Sequence, residues 1–336
     1  MMDEKAMDYV QFGRTGLRVS RLCLGTMSMG SSAWKSWVLD EHDCRPLLRQ
    51  ALDMGINFFD MADWYSIGRN EEVVGRNLLR MSSREHLILA TKVFYPMSGD
   101  PNDRGLSRKH IFDSIDRSLK RIGTDYVDLY LIHAFDPETP VEETMYALHE
   151  AVRAGKVRYL GASTMYAWQF AKMNHIAIRN GWTPFVNMQC QYNVLYREEE
   201  REMLQYCRDA GVAVTSFSPL ARGFLVRGGA TARSAHDIYQ NFYGDEIDVE
   251  IARRVHEVAT RRGVSAAHIA MAWVAGNRNA TIPIVGSSKL SHLEVAVEAL
   301  SLDLEEADRE YLNAPYRPRD EINDQNPVRR PRALSR

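Results

Sequence analysis

Two periodicities alternate along the chain. Short apolar runs without clean alternation, such as "INFFD", "HLILATKV" and "DYVDLYLIHAF", give way to longer stretches with apolar residues three and four apart. In "EHDCRPLLRQALDMG", Leu47, Leu48, Ala51 and Leu52 share one helical stripe, and Gly55 supplies a stop. "NEEVVGRNLLRM" reads as the next helix, with Asn70 as N-cap and Glu71 and Glu72 in the first turn, where acids suit the helix dipole. "SRKHIFDSIDRSLKRIG" follows. "TPVEETMYALHEAVRAGKV" then places Thr139 at an N-cap and Pro140 at the first helical position. The rhythm continues through strands "VRYLGAS", "FVNMQCQYN", "VAVTSFSPL" and "ATIPIVGSS", interleaved with helices that include "REEEREMLQYCRDAG" and "DVEIARRVHEVATRRG". With "RVSRLCLGTM" as the first, there are eight strands, each followed by helix.

Strands apolar on both faces belong to a covered parallel sheet. Eight strand–helix units in a chain of 336 residues favour an α/β fold of the (β/α)8 TIM-barrel type over an open sheet. The open sheet brings a G-x-G-x-x-G turn after its first strand, and "LGTMSMGSS" does not match it. "YVQFGRTGLRVS" suits a short N-terminal hairpin that could cover the barrel bottom. Pro219 to Asp248 breaks the rhythm with a long Gly-rich loop after the seventh strand, and loops of that length are commonly functional. The reading is a single domain over residues 1–336, with a core at about 8–316 and a loosely packed tail over 317–336.

Composition narrows the function. A net charge of −2 gives no general case for nucleic acid or an anionic membrane. Cys23, Cys44, Cys190 and Cys207 show neither metal-ligand nor disulfide-framework spacing. No signal peptide or membrane-length apolar run is visible, so a cytoplasmic protein without a metal is expected.

The chemistry of such barrels collects at the C-terminal strand ends. There the chain places Asp60, with Tyr65 in the following loop, then Lys92 and His133 on the next two strands. An ion pair with Asp60 would hold Lys92 charged. Lys92 near Tyr65 would lower the tyrosine pKa and let it trade a proton with a substrate. His133 could hydrogen-bond a substrate oxygen. Each residue alone has a structural explanation; their joint placement on successive units is what points to catalysis.

At these residues the sequence resembles the aldo-keto reductase superfamily. The resemblance runs from "FGRTGLRVSRLCLGTM" to "PIVGSS" and rests on "GINFFDMADWYSIGRNEEVVG", "LATKV", "DYVDLYLIHAFD", "GKVRYLGAS", "QCQYN" and "FSPLARGFL". "GASTMYAWQF" and "REEEREML" resemble the branch of aryl-alcohol dehydrogenases and related bacterial reductases. The resemblance implies a catalytic tetrad of Asp60, Tyr65, Lys92 and His133, with Tyr65 the general acid in carbonyl reduction. It implies an extended nicotinamide cofactor, with NADPH (NADP+) expected over NADH. Ser163 and Gln189 match residues that hold the carboxamide, although the asparagine usual after that serine is Thr164 here. Phe217 matches the aromatic stacked on the nicotinamide. Ser218, Leu220 and Arg222 match a loop along the pyrophosphate. Gly286, Ser288, Lys289 and His292 fall in the segment that takes the adenosine phosphate, where many relatives have arginine in place of His292 and a Glu-Asn pair in place of Val295 and Ala296.

Met27, Trp34, Trp64, Tyr95 and Phe135 lie just past strand ends and suit a flat, apolar carbonyl compound as the small-molecule partner. Arg69 and Arg104 are the candidate partners for an anionic substrate. The leading expectation is an NADP(H)-dependent carbonyl reductase of unknown oligomeric state. The alternatives are a cofactor-binding redox sensor, like the channel β subunits of this fold, and a cofactor-free barrel lyase or isomerase.

Overall fold

The computed structural model describes residues 7–227, 243–277 and 281–320. Strands β1 (Tyr9–Gln11) and β2 (Arg18–Ser20) form an antiparallel hairpin. Strand β3 (Cys23–Gly25) enters the barrel, and β4 (Met29–Gly30) pairs with β5 (Leu39–Asp40) in a small ladder above it. The barrel is completed by β6 (Phe58–Asp60), β7 (Ile88–Val93), β8 (Val127–Ile132), β9 (Val157–Ser163), β10 (Phe185–Gln191), β11 (Ala213–Phe217) and β12 (Thr281–Gly286). All neighbours are parallel, and β12 closes onto β3. The helices outside are α1 (Glu41–Asp53), α2 (Arg69–Met81), α3 (Arg108–Ile122), α4 (Val141–Arg153), α5 (Ala167–Arg179) and α6 (Met203–Ala210), followed by α7 (Phe224–Arg227), α8 (Glu246–Arg262), α9 (Ala266–Ala275), α10 (Leu290–Ala299) and α11 (Glu306–Asn313).

Side chains alternate across a strand with period two. Phe58 and Asp60 share one face of β6, and Ile88, Ala90 and Lys92 one face of β7. Leu129 and Leu131 continue two residues on to His133. The lower members of these sets, with Cys23, Ala213, Ile282 and Ile284, form one interior cluster. The outward faces pack on the helices in a second, larger cluster. Each polar site residue is thus the uppermost member of a set whose lower members fill the barrel.

The hairpin seals the bottom. Phe12 is fully buried in the interior cluster and meets Phe58 edge-on, ring centroids 5.7 Å apart. Gly13 has φ +59°, and a Cβ there would lie 2.5 Å from the Gly211 carbonyl oxygen, so only glycine lets the turn approach this closely.

Four sequence readings need correction. "RVSRLCLGTM" is two strands, because the chain turns at Arg21, whose N–H donates to Asp8 O at 2.9 Å. Helix α6 starts only at Met203; Glu198–Glu200 make a single 3-10 turn pinned by ion pairs to Arg197 and Arg201. The cap of α4 is Pro140, one residue after Thr139, whose hydroxyl donates instead to Asp136 at 2.7 Å. The loose tail does not begin at residue 317: Arg319 is largely buried, pairs with Asp248 of α8, and donates its backbone N–H to Glu198 at 2.8 Å. Of the Pro219–Asp248 loop, residues 228–242 lie outside the described residues, as do 321–336 of the tail.

Phe12→Ala should lower the unfolding free energy by about 3–5 kcal/mol, the cost of emptying a buried aromatic site. Denaturant titration measures this, and a loss below about 1 kcal/mol would contradict the plug.

Candidate active site

Asp60 ends β6, Lys92 stands near the end of β7, and His133 directly follows β8. Lys92 has no exposed surface. Its ammonium donates to Asp60 Oδ2 at 2.7 Å, to Met61 O at 2.9 Å and to the Tyr65 hydroxyl oxygen at 3.1 Å. A lysine has three N–H donors, and all three are used. Burial is the largest single influence on Lys92 and would lower its pKa. Asp60 and Tyr65 together more than offset it, and the pKa lies above the ordinary lysine value.

Tyr65 sits on a tight loop between β6 and α2. Ser66 and Ile67 both have left-handed backbones, at φ 51° and 49°, strained conformations for non-glycine residues. Hydrogen bonds hold the loop shut: Tyr65 N to Ala62 O at 3.2 Å and Gly68 N to Asp63 O at 2.6 Å. The expected lowering of the Tyr65 pKa is not what results. Burial raises it, Lys92 opposes, and the net direction is upward. Tyr65 is therefore a phenol at neutral pH, with a cation polarising its oxygen. His133 meets Tyr65 edge-on at 5.7 Å. Burial and then Lys92 hold its pKa well below the ordinary histidine value, so the imidazole is neutral and carries one N–H. Its Nδ1 is buried without a hydrogen-bond partner.

Gln189, expected at the carboxamide, donates its amide to Asp60 Oδ1 at 3.0 Å. It thereby ties β10 to β6 across the barrel. Ser163 bonds Thr164 between hydroxyls at 3.1 Å, and Thr164 is itself left-handed at φ 50°. Asn70 is not a cap. Gly68 caps α2, and Asn70 is buried, donating to Thr26 O at 2.7 Å and Met29 O at 2.9 Å.

Phe217 ends β11 half-buried. Beyond it Ser218, Ala221 and Arg222 are left-handed. Such turns gather backbone N–H groups into an anion-binding concavity. Asn193 anchors the loop by donating to Ser218 O at 3.0 Å, and Tyr243 receives hydrogen bonds from Gln191 at 2.6 Å and Asn193 at 3.1 Å. Gly286 at the end of β12 and Ser288, Lys289 and His292 beyond it are exposed, and Lys289 is the N-cap of α10. Burial, then Lys289 and Arg227, lower the His292 pKa, so basic groups from two segments crowd together there. Arg227 was not foreseen.

A chain of aromatic rings leads to His133. Centroid distances run Trp34–Trp64 5.2 Å, Trp64–Tyr95 5.1 Å and Tyr95–His133 4.8 Å. Trp37 extends this wall and was missed, as was Lys35, whose ammonium lies 4.8 Å over the Trp34 ring. Phe135 pairs with Trp168 at 6.2 Å instead. Met27 is half-buried in the loop after β3. A cavity of about 290 Å³ between Thr164, Trp168 and Phe217 is lined by none of Asp60, Tyr65, Lys92 and His133. Arg69 is engaged by Glu72 and Glu41, and Arg104 is exposed.

The aldo/keto reductase family model matches residues 21–316. The chain belongs to the aldo/keto reductase family. It is 41% identical to an aldo-keto reductase of Fusarium vanettenii, covering 93% of this chain and 92% of that one. It is 40% identical to versiconal hemiacetal acetate reductase of Aspergillus parasiticus, over 93% of this chain and 98% of the relative. An aryl-alcohol dehydrogenase-like chain of Schizosaccharomyces pombe is 41% identical, over 92% and 96%. No helix among the described residues is long and apolar enough to cross a membrane.

Asp60→Asn strands the Lys92 ammonium in the barrel and should cost about 3–5 kcal/mol of stability, whereas Asp60→Asn with Lys92→Met should recover part of it. Because the folded Lys92 pKa is raised, the pair's stabilisation is complete below the unfolded lysine value near 10.4 and lost as pH rises through the folded one. Denaturant unfolding of wild type, Asp60→Asn, Lys92→Met and the double variant, at neutral pH and above about pH 10, checks this; additive losses would contradict the pairing.

Proposed function

We propose that this aldo/keto reductase is an NADP(H)-dependent carbonyl reductase that converts aldehydes or ketones, aryl and other apolar ones foremost, to alcohols. The observation that carries the reading is the Lys92 ammonium held by Asp60 against the Tyr65 hydroxyl. The names of the fungal relatives, a reductase and an aryl-alcohol dehydrogenase-like chain, support it.

The residues fit a nicotinamide dinucleotide phosphate. Phe217 would face the nicotinamide, and Ser163 and Gln189 its carboxamide. The loop at Ser218, Leu220 and Arg222, left-handed at Ser218, Ala221 and Arg222, would follow the pyrophosphate. The crowded bases at Lys289, His292 and Arg227 would take the adenosine 2′-phosphate, an anion that relieves their mutual repulsion. When bound, the cofactor supplies the hydride.

The chain's own residues manage position and the proton. The neutral His133 ring donates one N–H to the carbonyl oxygen and orients it. Tyr65 donates its phenolic proton to that oxygen as negative charge builds there, and Lys92 stabilises the phenolate that remains. Asp60 keeps Lys92 charged, and Gln189 keeps Asp60 aligned. The tryptophan–tyrosine wall holds an apolar substrate and excludes water.

Tyr65→Phe should slow reduction of an aryl aldehyde by at least ~100-fold with cofactor affinity nearly intact, the scale of general acid catalysis. Wild-type rates in that variant, read from nicotinamide absorbance, would remove Tyr65 as proton donor. Lys289→Ala should weaken NADPH by about tenfold and NADH hardly at all, the scale of one charge-assisted hydrogen bond. Equal losses in a fluorescence titration would take Lys289 out of phosphate recognition.

A further inference from the structure

Behind the Tyr65 loop lies a polar cluster that the proposed chemistry leaves unused. Asp63, two residues before Tyr65, has no exposed surface. Its backbone spans the loop: the N–H donates to the carbonyl of Lys92 at 3.3 Å, and the carbonyl accepts from Gly68 at 2.6 Å. Its side chain meets Ser114 of α3, whose hydroxyl donates to Oδ2 at 2.8 Å. Oδ1 is buried with no hydrogen-bond partner.

The charged and titratable groups facing Asp63 are Glu71 from α2, Arg121 from α3 and Tyr130 from β8. Glu71 is also fully buried. It accepts from Thr91 Oγ1 at 2.5 Å and from Arg121 Nε at 2.6 Å. One guanidinium therefore serves two buried carboxyls, and Glu71 holds it. Asp63 is left with neutral donors, the Ser114 hydroxyl and more weakly the Trp64 backbone N–H, and a bare Oδ1. Two anions sharing one cation in a dry interior are costly, whereas a proton on Asp63 removes the second charge. Burial, then Glu71, pushes the Asp63 pKa up to about 7, against Ser114, Arg121 and the Trp64 backbone N–H.

We propose that Asp63 is a positioning residue that works as the neutral acid: the proton it carries keeps the 61–68 loop seated and the Tyr65 hydroxyl against Lys92. The effect on turnover rests on Tyr65 being the proton donor; the buried proton does not. Ionisation places an uncompensated charge beside Glu71 in a loop already strained at Ser66 and Ile67, and the loop yields. The folded acid holds its proton more tightly than the unfolded one. Stability therefore falls as pH rises from about 4, the ordinary value, to about 7, and is level above. Turnover falls as pH rises through about 7, far below any titration of Tyr65.

Asp63→Asn keeps the shape and discards the titration. Thermal midpoints of the protein without substrate, measured against pH, should decline for wild type relative to Asp63→Asn across the acid-to-neutral window. For an aryl aldehyde with NADPH, wild-type kcat should fall about tenfold per pH unit on the alkaline side, with KM little changed. Asp63→Asn should hold a flat kcat near the wild-type acid-side level. Ser114→Ala withdraws the donor that favours ionisation and should move the limb to higher pH, which keeps the test decisive if Asp63→Asn fails to fold. Parallel midpoints for wild type and Asp63→Asn overturn the buried proton, whatever the protein catalyses. A limb at the same pH in the variants overturns the positioning role. A wild type without turnover counts against the reductase reading, and the midpoints still decide the proton.

Discussion

A lysine ammonium with no exposed surface is the constraint around which this barrel is built. An unpaired charge in that position would cost several kcal/mol. The chain meets the demand with an acid on the adjacent strand, a backbone carbonyl from the following loop and a phenol. Only a closed sheet brings these together: Asp60 and Lys92 come from neighbouring strands, while Gln189, which steadies Asp60, comes from the opposite wall. Below them the interior is filled by apolar side chains, with Phe12 buried among them.

The same burial decides how the site can work. Lys92 alone would make Tyr65 a stronger acid, but desolvation outweighs it and Tyr65 stays protonated. Burial likewise keeps His133 neutral. A neutral acid poised beside a fixed cation suits delivery of a proton to an oxygen that is gaining charge. In the proposed reduction the cation would gain most by interacting with the product phenolate, and so would act on the transition state more than on the resting state. The aromatic wall above extends the dry surroundings toward the rim.

The barrel and the meeting of Asp60, Tyr65, Lys92 and His133 at one rim were legible in the chain because both rest on local rules. Short apolar runs without clean alternation mark strands covered on both faces, and a polar residue two positions past an inward apolar one marks the rim: Lys92 after Ala90, His133 after Leu131. What was not legible depends on long-range contacts. Asn70 carries every mark of an N-cap, yet Thr26 and Met29 claim its side chain from 44 and 41 residues away. Glu71 reads as a solvated first-turn acid, yet Arg121 draws it inside. Asp63 has no pattern of its own in "DMADWY"; only α2 and α3, packed behind it, give it meaning. The sign of the Tyr65 shift was misread for the same reason, since adjacency to a cation shows in strand order but depth of burial does not. Arg319 belongs to a basic, Pro-rich stretch, and only Asp248 and Glu198 reveal that it is anchored.

Tyr65 rests as a phenol against a charged Lys92. The most direct test is carbon NMR of ring-labelled tyrosine across a pH titration, with the Tyr65 resonance assigned by its loss in Tyr65→Phe. The account predicts a phenol signal at neutral pH that persists past the ordinary tyrosine pKa near 10. A Tyr65 resonance already converted to phenolate at neutral pH would contradict it, and would show that the Lys92 charge overrides the burial.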